Sequence, residues 1–78
     1  MKLEIITPET TVFTGETSLV QLPGIEGSFE ILNNHAPLIA VLVKGKIRIL
    51  DENKKEQFFE INGGVVEVLK NKVLVLAE

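Results

Sequence analysis

From one end of the chain to the other, apolar and polar side chains alternate with a period close to two, and turn-forming residues interrupt the pattern every six to ten positions. Successive side chains of a strand point to opposite faces, so this spacing predicts strands, and helical spacing is never sustained. The predicted strands cover residues 2–6, 10–13, 17–22, 28–32, 38–43, 46–50, 55–61, 65–69 and 72–77. Between them lie Thr7-Pro8-Glu9, Gly15-Glu16, a loop from Leu22 that holds Pro23, Gly24 and Gly27, a bend at Asn33, Asn34 and Pro37, Lys44-Gly45, a polar turn over 51–54, Asn62-Gly63-Gly64, and Lys70-Asn71. Asn62-Gly63-Gly64 calls for positive φ, and Lys70-Asn71 reads as a tight hairpin. Many short strands in one small unit imply an all-β chain, either two packed antiparallel sheets or a barrel.

Seventy-eight residues allow one domain, residues 1–78, with a modest core and little room for a deep cavity. One feature exceeds what such a core needs. Residues 38–43, LIAVLV, are apolar on both faces, and Leu74 and Leu76 oppose Val73, Val75 and Ala77 in the same way, whereas a strand of a two-layer sandwich needs one apolar face. At roughly 25 cal/mol per Å² buried, a few hundred Å² of surplus is worth several kcal/mol to a partner that covers it. One outer sheet face is therefore expected to be a protein interface; the alternative is that loops or chain ends fold over it.

Several function classes are disfavoured. A formal net charge of −3 and the lack of Trp and Tyr argue against nucleic-acid binding, which needs cations for phosphate and platforms for bases. There is no cysteine and one histidine, so a metal site and a thiol chemistry are not expected, and a reducing compartment fits. The opening MKLEII carries a glutamate inside its apolar run and reads as neither a signal peptide nor a membrane span. Ser28 and His35 are the nearest approach to a nucleophile and base, without a nucleophile-elbow pattern around them. His35 reads as a residue that ties down its loop, and Lys44, Lys46 and Arg48 as a solvated strand face, with an anionic partner surface as the alternative. Glu26 and Glu30 read as a solvated or partner-facing acidic patch. No cofactor is expected.

Special residues concentrate between Leu22 and Leu38, in LPGIEGSFEILNNHAPL, and loops on a rigid scaffold are where contacts are commonly placed. This stretch, with the ITPE and VFTGE segments before it and GKIRI, INGGVVEV and VLVLAE after it, resembles the epsilon subunit of the F-type ATP synthase, over nearly the whole chain. The resemblance implies a small antiparallel β-sandwich of about ten short strands without an active site. It implies a central-stalk part that binds the gamma subunit and the c-ring and couples proton or sodium translocation to ATP synthesis. It places Gly24, Glu26, Gly27, Ser28 and Glu30 on the ring side and Thr7, His35 and Ala40 on the gamma side. The implied location is peripheral, on the cytoplasmic side of a bacterial plasma membrane, with the stromal side of a thylakoid as the alternative. The family often has glycine where Glu30 stands and proline where Asn33 stands. Its C-terminal helical hairpin has no counterpart in these residues, so inhibition of hydrolysis and ATP binding are not carried over. A β-sandwich adaptor using the same apolar face for another protein is the competing reading. Glu26→Lys and Ala40→Glu are both expected to weaken assembly while leaving the domain folded.

Overall fold

The alternation becomes six strands in the computed structural model, which describes residues 1–78: β1 (Lys2–Ile6), β2 (Thr11–Gly24), β3 (Gly27–Leu32), β4 (Leu38–Asp51), β5 (Glu56–Leu69) and β6 (Lys72–Ala77). The nine strands predicted from alternation, about ten by the resemblance, are thus six, because β2, β4 and β5 each run fourteen residues through a place where the sequence suggests a turn. Gly15, Gly45 and Gly63-Gly64 bend the chain without reversing it. The clearest case is the β4–β5 ladder, which keeps one antiparallel register from Leu38 opposite Val68 to Leu50 opposite Glu56. Gly63 and Gly64 sit at φ 134° and 147°, values closed to ordinary side chains, and let β5 swing while it stays paired. A Cβ on Gly64 would collide with the Leu76 carbonyl oxygen across the β5–β6 ladder. The NGG motif therefore has the positive φ that its residues suggest, in a bend and not in a hairpin.

Each long strand gives one half to each of two layers. β3, the second half of β2, the second half of β4 and the first half of β5 form one layer. The other holds the first half of β4, the second half of β5, β6, β1 and the first half of β2. Smallest overall extent is 19 Å, in keeping with two sheets packed about 10 Å apart plus their outer side chains.

Pairing closes a circuit β1-β6-β5-β4-β2-β1, with β3 added to β2. Five strands cannot close with every neighbour antiparallel, so one pair must be parallel. It is β1 with β6, Lys2 opposite Lys72 through Ile6 opposite Leu76, and here the wholly antiparallel expectation fails. The β5–β6 hairpin is the tight one expected, with Lys70 and Asn71 both at positive φ, 51° and 59°.

Inward positions form one cluster of fifteen buried apolar residues, among them Leu3, Ile5, Val20, Leu22, Ile47 and Val75. Polar pins hold the segment between β3 and β4 to this frame. The Met1 amino group donates to the Thr17 carbonyl at 2.9 Å and to Asn33 Oδ1 at 2.7 Å, and the Asn34 amide donates to Asn71 Oδ1 at 2.7 Å. Thr17 itself is buried with its hydroxyl unpartnered.

Two substitutions test this account by urea denaturation followed by circular dichroism. Thr17→Val removes an unmatched buried hydroxyl at nearly constant volume and is expected to stabilise by ~1 kcal/mol. Gly64→Ala forces a side chain into the β6 backbone and is expected to destabilise by ~2–4 kcal/mol.

Candidate functional site

The two outer faces differ in kind. On the layer built on β3, outward side chains are mostly polar and satisfy one another. Gln21 Nε2 donates to Ser28 Oγ at 3.1 Å, Arg48 Nη1 donates to Gln21 Oε1 at 3.4 Å, and Arg48 Nε donates to the Glu56 carboxylate. Phe58 is exposed here with the Lys46 ammonium 6.0 Å from its ring centre, and Leu32 is exposed on β3 opposite Leu19.

The other layer turns apolar side chains outward. Ile39, Val41 and Val43 alternate with the inward Leu38, Ala40 and Leu42 along β4; across the ladder Val65 faces Val41, and Leu76 faces Val65. Ile39 is 72% exposed, Leu76 53% and Val41 52%. Leu74 and Ile6 extend the patch half-buried. The surplus expected from residues 38–43 is thus a continuous face, and no loop or chain end covers it.

Gly24, Glu26, Gly27, Ser28 and Glu30 come together on one hairpin. Gly24 pairs with Gly27, Pro23 with Ser28 and Gln21 with Glu30, while Ile25 and Glu26 form the two-residue tip. Gly27, at φ 122°, makes the reversal there possible. The Ile25 amide donates to the Val41 carbonyl at 3.0 Å, which ties the tip to the edge of β4. Between them lies an open groove of about 450 Å³, lined by residues 24–29 and 38–41.

Thr7, His35 and Ala40 are not brought onto one face. Thr7 closes the β1–β2 turn, its amide and hydroxyl donating to the Thr10 carbonyl at 2.8 and 3.2 Å. His35 is exposed beyond the far end of β1, beside the Asn34–Asn71 pin, and its Nδ1 is 2.7 Å from the Ala36 carbonyl oxygen. Ala40 points inward and packs half-buried against the core, where it lines the groove. Within the run 38–43 expected to carry an interface, Ile39 and Val41, the neighbours of Ala40, face outward, and that expectation does not single them out from the rest of the run. Parity could have found them, because Leu42 in the core forces Ala40 inward and Ile39 and Val41 outward.

Ser28 and His35 do not form a catalytic pair. Ser28 lies near the start of β3 and His35 lies past its end, so the strand alone separates them by ~13 Å at about 3.3 Å per residue. Nor does any group of three or more His, Cys, Asp and Glu side chains converge as for a metal ion.

The whole of residues 1–78 matches the family described as ATP synthase, Delta/Epsilon chain, beta-sandwich domain. An ATP synthase epsilon chain of Chlorobium limicola is 46% identical over 77 residues, which cover 99% of this chain and 88% of that one. The epsilon chain of Campylobacter curvus is 45% identical over 78 residues, all of this chain and 60% of that one. In fold, the chain is similar to one in the cryo-electron microscopy structure of the Euglena gracilis mitochondrial ATP synthase, with a TM-score of 0.90 at 19% identity over 96% of this chain and 48% of that chain. A chain in the Tetrahymena thermophila structure of central stalk and c-ring gives a TM-score of 0.82 at 22% identity, over 99% and 62%.

The inward turn of Ala40 changes one mutational expectation. Val41→Glu, on the outer face, should leave the urea midpoint nearly unchanged. Ala40→Glu should destabilise by ~2–4 kcal/mol, because it drives a carboxylate against the core.

Proposed function

The chain belongs to the family of ATP synthase delta and epsilon chain β-sandwich domains, and from that premise we propose that it is a non-catalytic part of the central stalk. It binds the gamma subunit through the apolar outer face and meets the polar loops of the c-ring with the β2–β3 hairpin. The observation that carries the reading is the exposed, continuous row of Ile39, Val41, Val65 and Leu76; the opposite face exposes Leu32 and Phe58 separately, among polar side chains that pair with one another. An exposed apolar face of this kind gains free energy when another protein covers it.

On the ring side, Gly24, Glu26, Gly27, Ser28 and Glu30 supply a narrow tip whose carboxylates face solvent beside the exposed Ile25. On the gamma side, Ala40 acts from beneath, as the inward residue that sets the spacing of Ile39 and Val41. Thr7 and His35 mark the two ends of the face. No step of ATP chemistry is assigned to the chain; its contribution is mechanical. Of its 48 backbone hydrogen bonds, 39 lie within the strands, so shearing one partner against the other has to break ladders that run through both layers. Such a body passes torque from the ring to gamma with little loss in bending. Its place is peripheral to the membrane, on the cytoplasmic side of the bacterial plasma membrane.

Reconstitution with gamma and the c-ring tests the proposal. Ion-driven ATP formation is expected to rise several-fold when the chain is present, and Glu26→Lys is expected to weaken copurification with the ring while gamma stays bound. ATP formation indifferent to the chain, together with no copurification of gamma or ring, would favour an adaptor for some other protein.

A further inference from the structure

The apolar outer face carries, where its aliphatic row meets its charged end, one carboxylate that is in no ion pair of the chain. Glu67 sits on β5 between Ile39 of β4 and Leu74 of β6. Val65 and Leu69 flank it two residues away on the same face of its own strand. These four are apolar; Lys70 and Lys72 line a recess beside Glu67, but neither forms an ion pair with it. Two other carboxylates of this face are paired within the chain, Glu4 with Lys72, whose ammonium lies 3.1 Å away, and Glu16 with the Met1 amino group at 3.7 Å. Glu67 takes part in none of the three ion pairs of the chain, and Lys70, in the turn that ends β5, takes part in none either. The polar face is different, for its Arg48 and Glu56 neutralise each other within the domain.

In water a carboxylate at this place costs nothing. Once a partner covers the face, Glu67 loses its hydration, and an ionised group buried among Ile, Val and Leu is strongly destabilising unless a cation meets it. We infer that the protein surface docking here is apolar with a single guanidinium or ammonium group opposite Glu67, and that this pair fixes the register of docking. Aliphatic contacts alone tolerate sliding, since one branched side chain resembles the next. A shift by one strand spacing, about 4.8 Å, or by one residue, about 3.4 Å, would set the partner's cation against aliphatic carbon and leave Glu67 bare. The inference rests on the proposed stalk role only in taking the covering protein to be gamma.

Titration calorimetry of the full chain against the gamma subunit, at low and high salt, tests it with Glu67→Gln, Glu67→Lys and Val41→Glu, each checked for folding by thermal melting. Expected are affinities weaker by about tenfold for Glu67→Gln and by about a hundredfold or more for Glu67→Lys and Val41→Glu. Salt should weaken the wild type and change Glu67→Gln far less. Wild-type affinity in both Glu67 variants, or tighter binding by Glu67→Gln, with binding lost in Val41→Glu, would overturn the charge pairing and leave the face intact. Failure of the wild type to bind gamma, or unchanged binding by Val41→Glu, would overturn the face and the pairing together.

Discussion

The unbroken register of β4 on β5 is the constraint on which the remaining geometry depends. One ladder from Leu38 and Val68 to Leu50 and Glu56 belongs to both layers, so the two sheets are not separate bodies pressed together. Their relative angle is set where β5 passes Gly63 and Gly64. It is also set by Gly45 of β4, where a Cβ would come within 2.9 Å of the Pro23 side chain. Side chains larger than hydrogen at these points would force the choice between keeping the ladder and keeping the packing. A single-register ladder has a second consequence. Side-chain period is two, so register decides at once which residues of both strands face in, and a slip of one residue would move Ile47, Ile49, Ile61, Val66 and Val68 out of the core together.

The same parity separates the two outer faces. Inward residues of both layers merge into one cluster, and what remains outside is polar on one side and aliphatic on the other. Gln21, Ser28, Arg48 and Glu56 close their polar groups on one another, and the large apolar side chains exposed on that side are Leu32 and Phe58. Ile39, Val41, Val65 and Leu76 have no such internal use. The β2–β3 hairpin stands at the edge of the aliphatic side and is held to it by the hydrogen bond from Ile25 to Val41. A polar tip and an apolar wall are thereby joined by one short strand connection, and force on the tip is delivered to the wall through backbone.

Much of this was legible in the residues. Alternation by itself specifies the all-β class. The doubly apolar run LIAVLV alone points to the exposed wall. Glycine was misread as a stop, because residues alone do not tell a bend within a ladder from a reversal; the difference lies in whether the partner strand follows, as β4 follows β5 past Gly63. The parallel β1–β6 pair had no local signal at all, since it follows from closing a circuit of five strands. Among the site residues, the hairpin set was adjacent in sequence and stayed together in space. Thr7, His35 and Ala40 are separated in space by topology and parity.

The central claim is that the aliphatic wall, and not the polar one, is the side that other subunits cover. Hydroxyl-radical footprinting of the chain alone and in the assembled synthase measures this directly. The account predicts strong protection of Ile39, Val41, Val65 and Leu76 on assembly, with Phe58 labelled as in the free chain. Protection of Phe58 with the aliphatic wall still fully labelled would contradict it.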